Sequence, residues 1–361
     1  MKTALRLTFL MTCLLMLSMV SLAQDETEIL NDLLAEYIED GDPGASVYVS
    51  YDGDAWASVS GLANLETETD ISTDDVFRIA SVSKPLVATV VVSLAEYGVI
   101  DLDAPLADYL SSDITNNIEN ADTATIRQML QMTSGIYNYT ESDDFADAVY
   151  DSPSYMWSAE EVLEFAHNED AYFDVGEGYH YSNTNYILVQ LVIEAVTGNS
   201  LADELENRIF APADMDSCYL ETPDLFAENI VRGYELYDDY EDITEVNDGT
   251  GLGDGGVVCS AEDLAKFLPA LFNGTFLNDE FLAEMLNPFD DGDGSNYGLG
   301  IGNDDTEYGV IISHDGASSG FQSTMMYLPD DDLTIVILTN NFDSDIIEDL
   351  SYDILDYFFE D

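Results

Sequence analysis

The most constraining feature of this 361-residue sequence is a segment that is apolar on nearly every side. Residues 85–94 read PLVATVVVSL, and Pro85 suits the first turn of a helix. A helix without a polar face is stable only when protein surrounds it. We therefore expect a buried central helix, with the rest of the chain packed around it.

Two polar residues stand at the start of this helix, in the stretch FRIASVSKP that covers residues 77–85. Ser81 and Lys84 are three residues apart and share a helix face, so the lysine amine can reach the serine hydroxyl. A serine needs such a neighbour to take its proton, and a helix start favours an oxyanion. Ser81 is a candidate nucleophile and Lys84 its base, although a leftover surface lysine is the alternative.

The charge of the chain is extreme. All 74 acidic residues follow residue 23, against only six of the eight basic ones, which gives residues 24–361 a formal net charge of −68. The apolar fraction of 46% still allows a core, so disorder is not expected. Such charge excludes nucleic acid and anionic membranes as partners and predicts screening by cations as counterions. A halophilic protein is the leading interpretation; a merely acidic exported protein is the other.

Residues 1–23 have the pattern of a secretory signal peptide. Lys2 and Arg6 precede a mainly apolar run, and Ser21-Leu22-Ala23 offers small residues for cleavage. No later segment is long and apolar enough to cross a membrane. We therefore expect a secreted or periplasmic protein. Export permits a disulfide between Cys218 and Cys259, but two separate buried thiols are equally compatible with the sequence.

The predicted elements indicate an α+β fold. An antiparallel, about five-stranded sheet would be flanked by N- and C-terminal helices, with an inserted, mainly helical lobe. We expect a sheet lobe from residues 24–100 and 251–361 and a helical lobe from residues 101–250. The supporting helices and strands are a helix at 25–39, strands at 45–51 and 54–61 around an Asp52-Gly53 turn, a helix at 260–271, strands at 308–313, 321–328 and 333–339, and a helix at 346–359.

A second polar cluster precedes a long apolar helix. Tyr181 could act as general base and acid if a nearby ammonium held it as phenolate or shared its proton. The Asn183 amide could orient Lys84 and a substrate carbonyl. Because the chain has 22 tyrosines, both residues could equally be ordinary loop residues.

A third cluster follows a predicted strand and reads SHDGASSG from Ser313 to Gly320. His314 would present a polar side chain at a cleft, Gly316 would let backbone approach a ligand, and the Ala317 N–H could join that of Ser81 as an oxyanion donor. A capped turn after an edge strand is the alternative. The three histidines show no close ligand spacing, so no metal and no other cofactor is expected.

In their order, Ser81-Val82-Ser83-Lys84, Tyr181-Ser182-Asn183 and His314-Asp315-Gly316 resemble the serine β-lactamase and penicillin-binding protein superfamily. The Tyr-x-Asn motif is similar to that of class C β-lactamases and type B D-alanyl-D-alanine carboxypeptidases. The resemblance implies a Ser81 acyl-enzyme, proton transfer by Lys84 and Tyr181, and substrate binding by Asn183, His314, Gly316 and Ala317. It also implies a small-molecule or peptide substrate, for instance one derived from peptidoglycan.

The third motif departs from that family, which usually has Lys-Thr-Gly where this chain has His314-Asp315-Gly316. The family's lysine helps to bind a substrate carboxylate, and a histidine next to an aspartate is a weaker anion site. The resemblance therefore favours a D,D-carboxypeptidase or esterase over an efficient β-lactamase. A non-catalytic penicillin- or peptide-binding protein of the same fold is the alternative.

The charge leads to a test on the whole protein. Because salt screens repulsion among the carboxylates, we expect the midpoint of thermal unfolding to rise steeply as KCl or NaCl is increased toward molar concentrations. Differential scanning calorimetry over a salt series measures it. A midpoint that does not change with salt would show that the net charge does not limit stability.

Overall fold

The computed structural model describes residues 26–227, 229–249, 251–289, 296–342 and 346–359, so the predicted signal peptide lies outside the described residues. No helix in these ranges is long and apolar enough to span a bilayer. The strands are β1 (Ala45–Tyr51), β2 (Asp54–Ser60), β3 (Leu62–Asn64), β4 (Thr69–Asp70), β5 (Phe77–Arg78), β6 (Tyr219–Leu220), β7 (Tyr234–Leu236), β8 (Tyr240–Asp242), β9 (Val257–Cys259), β10 (Gly302–Thr306), β11 (Gly309–Ser318), β12 (Phe321–Leu328) and β13 (Leu333–Thr339).

The described α-helices separate the two groups of strands that build the main sheet. They are α1 (residues 26–37), α2 (Ser83–Glu96), α3 (Ser112–Thr115), α4 (Ile126–Leu130), α5 (Asp143–Asp151), α6 (Ala159–Leu163), α7 (Asn183–Thr197), α8 (Leu201–Leu205), α9 (Ala261–Leu264), α10 (Phe267–Phe272), α11 (Asp279–Leu286) and α12 (Ile346–Phe359). The predicted α+β architecture is confirmed, since an antiparallel sheet and flanking helices are both present.

Both ends of the chain contribute to one antiparallel sheet in the order β10-β11-β12-β13-β1-β2. Strand β1 pairs with β13 from Ala45 opposite Thr339, which closes the sheet between the first and last strands of the chain. The hairpin between β1 and β2 turns at Asp52 and Gly53, whose φ angles of 50° and 85° are both positive, as the Asp-Gly sequence predicts.

The sheet differs from the prediction in two places. Strand β10 is an additional sixth strand, made of the polar sequence GNDDT. Strand β11 continues to Ser318, so His314 to Ala317 lie within a strand and do not follow its end. Aspartate, asparagine and glycine are rare in strands, and pairing with β11 and β12 outweighs that local preference here.

The predicted helix at 260–271 is two helices, α9 and α10. Pro269 explains the interruption, because its ring lacks an N–H and would clash with the carbonyl of Ala265 in a continuous helix. Ser260 still caps the first helix by accepting a hydrogen bond from the Asp263 N–H.

The predicted central helix is α2, in which every residue from Ser83 to Leu94 is buried. It packs against α7, α8 and α11, and its buried side chains belong to the larger of the two described hydrophobic clusters. A second cluster lies between the main sheet and the terminal helices, with Leu30 and Leu34 from α1 and Leu350 and Ile354 from α12. The two clusters cover both faces of the sheet with apolar groups.

A smaller three-stranded sheet, in the order β5-β9-β6, leads directly into α2. Arg78 at the end of β5 donates from Nε to the Glu221 carboxylate at 2.8 Å, and both side chains are at most 1% exposed. The Arg78 guanidinium also lies over the rings of Phe226 and Phe321. Cys218 and Cys259 form a disulfide beside the pairing of β6 with β9. Of the two possibilities that the sequence leaves open, the structure therefore has the disulfide and not two separate thiols.

This buried ion pair predicts that removing one partner lowers the free energy of unfolding far more than replacing both partners. Arg78→Met should lower the free energy of unfolding by about 3–5 kcal/mol, because it leaves the Glu221 carboxylate buried without its partner. Arg78→Met/Glu221→Leu should recover most of that loss. Urea denaturation at a fixed molar salt concentration measures both.

Arg127→Met is the matched control, since Arg127 pairs with Asp103 and Glu284 near the surface. Its cost should stay within about 1 kcal/mol. If Arg78→Met were no more destabilising than this control, the buried pair would not be what fixes β5 in place.

Candidate active site

Ser81 lies in a tight turn between strand β5 and helix α2. Residues Ala80 to Val82 form one 3₁₀ turn, and α2 begins at Ser83, so Ser81 precedes the helix that was predicted to start with it. Ala80 has a φ of 46°, in the left-handed region that side chains rarely adopt. Strained backbone of this kind is typical of sites where surrounding structure fixes a functional group.

The Lys84 amine contacts the Ser81 hydroxyl, as the spacing predicts. Lys84 Nζ lies 2.9 Å from Ser81 Oγ and donates a second hydrogen bond of 2.5 Å to the carbonyl oxygen of Asp254. The Lys84 side chain is fully buried. Burial lowers the pKa of Lys84 to about 8, although the Asp254 carboxyl group opposes this change. At pH 7 roughly a tenth of the amine is therefore uncharged, and this uncharged form is the one that can act as a base.

The Tyr181 ring lies beside the Lys84 amine, with its centre 4.9 Å from Nζ. Burial raises the pKa of the Tyr181 hydroxyl well above its usual value, an effect that the Ser81 hydroxyl partly offsets. Within the described ranges, no hydrogen bond to the Tyr181 oxygen has normal geometry. The phenolate that the sequence left open is thus disfavoured, and Tyr181 is placed to pass on a proton as a neutral phenol.

Asn183 is the first residue of α7, where sequence reasoning placed a loop. Its Nδ2 donates to Thr140 Oγ1 at 3.2 Å, and its backbone N–H donates to Asn138 Oδ1. The Lys84 amine bonds instead to Ser81 and Asp254. Asn183 therefore lines the site, and the expected orientation of Lys84 by its amide is not formed.

His314 is a buried, neutral residue in the interior of β11. Its Nδ1 lies 2.6 Å from the Asp315 carbonyl oxygen and must donate to it, so Nε2 accepts the hydrogen bond from the Tyr297 hydroxyl at 2.9 Å. Burial, followed by the charge of Lys84, lowers the pKa of His314 to about 3. The third motif therefore carries no positive charge at ordinary pH.

Gly316 allows β11 to approach the Ser81 turn. A Cβ atom at this position would lie 2.5 Å from the Ile79 carbonyl oxygen and 2.9 Å from the Ser81 nitrogen, closer than real contacts permit. The Ser323 hydroxyl of β12 also donates to the Ile79 carbonyl, which ties the sheet to the same turn. The close contact at Gly316 brings the backbone of the next residue, Ala317, near the Ser81 N–H. Two backbone N–H groups that bind one oxyanion must lie close together in this way.

Two cavities meet at Ser81, Asn183 and Ala317, which line both. The first has a volume of about 690 Å³, with apolar walls that include Phe145 and Val246. The second, of about 750 Å³, is lined partly by Tyr179, Tyr297 and His314. Among the described residues no lysine or arginine lines either cavity, whereas each includes carboxylates: Glu235, Asp248 and Asp254 in the first, and Asp315 and Glu348 in the second.

Sequence reasoning missed three groups of this site. Asp254 lies in the glycine-rich segment 251–256, Tyr139 donates to its carboxylate, and Tyr297 holds His314. The local signal for Asp254 is its position between two glycines, which by itself does not separate a functional acid from an acid in a turn. No group of three or more His, Cys, Asp or Glu side chains in the described ranges is arranged to hold a metal ion.

Comparison with known sequences finds relatives along most of the chain. A sequence model described as beta-lactamase matches residues 30–356. Penicillin-binding protein 4* of Bacillus subtilis is 28% identical over 298 residues, which cover 78% of this chain and 64% of that protein. The D-aminopeptidase of Brucella canis is 27% identical over 305 residues, which cover 82% of this chain and 56% of that protein. The chain thus spans less than two thirds of the length of either relative.

Similarity of structure extends over nearly the whole chain. A D-stereospecific amidohydrolase from Streptomyces sp. has a TM-score of 0.79 and 26% sequence identity, with 92% of this chain and 98% of that chain covered. The fold expected from the three ordered motifs is therefore confirmed. Because the matching family model covers residues 30–356, the chain belongs to the beta-lactamase family.

Proposed function

We propose that this protein is a serine hydrolase that forms an acyl-enzyme on Ser81 and cleaves amide or ester bonds in D-amino acid derivatives. The observation that carries the proposal is the buried Lys84 amine, 2.9 Å from Ser81 Oγ, where two cavities meet. The D-aminopeptidase and D-stereospecific amidohydrolase relatives support the substrate class. Export of the enzyme is part of the proposal and rests on residues 1–23 alone.

Acylation begins with the uncharged form of Lys84. Its amine takes the proton of Ser81 as Oγ attacks the substrate carbonyl carbon, and the N–H groups of Ser81 and Ala317 hold the oxyanion. Tyr181 then gives its proton to the departing nitrogen or oxygen and receives one from Lys84. In deacylation a water molecule replaces the leaving group, and the same groups pass protons in the reverse direction.

Lys84 is a better base than Tyr181 in this site. Burial acts on both groups by disfavouring the charged form, which is the base form of tyrosine but the acid form of lysine. It therefore lowers the pKa of Lys84 toward neutrality and raises that of Tyr181 further away from it. An efficient general base has a pKa near the working pH.

The charges of the cavities oppose a substrate carboxylate. His314 is neutral because burial lowers its pKa, and Asp315 beside it is an acid, so neither residue supplies a fixed cation. The leaving group of a D,D-carboxypeptidase substrate is an amino acid with a free carboxylate. Amidase, aminopeptidase or esterase activity therefore fits these cavities better than the carboxypeptidase activity included in the sequence-based expectation, and better than efficient β-lactamase activity.

Removal of the Ser81 hydroxyl or of the Lys84 amine should abolish covalent labelling of the protein. Ser81→Ala and Lys84→Ala should reduce the rate of labelling by a fluorescent penicillin or a fluorophosphonate by at least about 10³-fold. Circular dichroism checks the fold. Lys266→Ala is the matched control, because Lys266 is the other lysine after residue 23 and pairs with Asp263 away from Ser81. Unchanged labelling of Lys84→Ala would remove Lys84 from the mechanism.

Substrate turnover in molar salt separates the remaining functions. We expect faster hydrolysis of D-alanine and D-phenylalanine amides and of short p-nitrophenyl esters than of an acylated D-Ala-D-Ala peptide or nitrocefin. Preferred cleavage of the D-Ala-D-Ala peptide would show a carboxypeptidase instead. Labelling of Ser81 without turnover of any substrate would show the non-catalytic binding protein.

Restoring a cation at the third motif should change this preference. His314→Lys should raise kcat/KM for nitrocefin roughly tenfold, since a charge-assisted hydrogen bond contributes about 1.5–3 kcal/mol. His167→Lys adds the same charge at a position that lines neither cavity and should change nothing. An equal effect of both substitutions, or none from either, would show that residue 314 does not control carboxylate binding.

A further inference from the structure

We propose that Asp254 is a positioning residue whose carboxylate stabilises the Lys84 ammonium formed as Ser81 gives up its proton. The inference rests on the proposed function, because it assigns a role within the same site. Asp254 takes no proton in the step. The proton moves from Ser81 Oγ to Lys84 Nζ while the bond from Oγ to the substrate carbon forms.

The first argument is that the buried Asp254 carboxylate destabilises the folded protein. Its side chain is 6% exposed, and its Oδ2 accepts a 2.8 Å hydrogen bond from the Tyr139 hydroxyl. Its Oδ1 is buried and has no hydrogen-bond partner among the described residues. An unsatisfied buried oxygen of a carboxylate is destabilising, so packing alone does not explain an acid here. Buried polar groups of this kind are often functional.

The second argument is that the surrounding structure fixes Asp254 beside the amine. Its own carbonyl oxygen accepts a hydrogen bond from Lys84 Nζ, which sets the distance between the two residues. The Gly253 N–H donates to Gln190 Oε1 of α7. Gly256 packs so tightly against Gly251 that a Cβ would lie 2.6 Å from it. The loop therefore holds Asp254 rigidly, without help from a substrate.

The third argument concerns the other charges around the pair. Among the described groups the carboxyl of Asp254 is the one that opposes the loss of charge on Lys84, and burial is what drives that loss. Conversely, burial raises the pKa of Asp254 to about 6, and Lys84 opposes that rise. The other titratable groups that act on one of the two are Tyr139 from the 3₁₀ turn Tyr139–Glu141, Tyr181 before α7, Tyr186 in α7, Asp248 in the loop before residue 250, and His314 in β11.

These groups leave the Asp254 carboxylate as the counter-charge of Lys84, since Asp248 acts on Asp254 and is not among the charges that act on Lys84. The tyrosines are neutral because burial raises the pKa of each, and His314 is neutral because burial lowers its pKa. When Lys84 accepts the Ser81 proton, a cation forms on a side chain that is fully buried. The Asp254 carboxylate then favours the charged amine, as a buried acid favours the protonated histidine of a serine protease.

Asp254→Asn tests this role through the pH dependence of acylation. For the wild type, kcat/KM for acylation should rise with a midpoint near pH 8, as Lys84 loses its proton. The substitution removes the negative charge and keeps the shape, so the midpoint should move about 1–3 pH units lower and the plateau rate should fall at least tenfold. The kcat/KM for release of p-nitrophenol from a short p-nitrophenyl ester between pH 5 and 10 measures both quantities, and labelling of Ser81 by a fluorophosphonate gives the amount of active protein.

Two further variants keep the test decisive. Tyr139→Phe removes the donor to Asp254, which makes the ionised carboxylate less favourable, so the midpoint should move in the same direction by a smaller amount. This variant carries the test if Asp254→Asn does not fold. Asp263→Asn removes the carboxylate beside the other lysine, Lys266, and should leave the midpoint unchanged even if stability falls.

The outcomes distinguish the two proposals. A wild type that is not labelled at Ser81 would overturn the proposed function itself. A labelled wild type with the same midpoint in Asp254→Asn, or in Tyr139→Phe if only that variant folds, would overturn the role of Asp254 alone. A merely structural Asp254 would lower the amount of active protein without moving the midpoint.

Discussion

The burial of one amine is the constraint on which this structure depends. An ammonium group removed from water is destabilised by several kcal/mol unless polar groups replace its hydration. The Lys84 amine has the Ser81 hydroxyl, the Asp254 carbonyl and the faces of Tyr181 and Tyr186 around it. These contacts keep the amine in place, but they do not fully replace its hydration, so its pKa is lowered. The stability of the fold and the basicity of the site are thus set by the same contacts.

The rest of the fold supplies the rigidity that this arrangement needs. The Arg78–Glu221 ion pair fixes the strand before the nucleophile, and the left-handed Ala80 turns the chain so that Ser81 faces the cleft. Gly316 lets the central sheet press against the same turn. Each of these features is unfavourable by itself, whether through desolvation, backbone strain or lost entropy. All of these features adjoin the turn that carries Ser81, as a preorganised site requires.

The local sequence predicted the structure correctly where the type of one or two residues determines the geometry. The Asp52-Gly53 turn, the buried α2 and the reach of Lys84 to Ser81 all follow from short-range rules. The local sequence did not predict structure that depends on pairing with strands distant in sequence. The polar strand β10 and the extension of β11 through Gly316 are two examples. Asp254 could not be distinguished from 73 other acids, because its importance arises from burial against Lys84, 170 residues away. The division into two lobes at residues 100 and 250 stays a prediction.

The acidic lining of both cavities makes solvent cations competing ligands of the site. Carboxylates such as Asp248 and Glu348 attract sodium and potassium as well as the ammonium group of an amino acid amide, the substrate class proposed above. If salt relieves repulsion over the protein surface, as expected above, the same cations would also compete with a positively charged substrate of the proposed class. On these two proposals, folding and substrate capture are expected to respond to ionic strength in opposite directions.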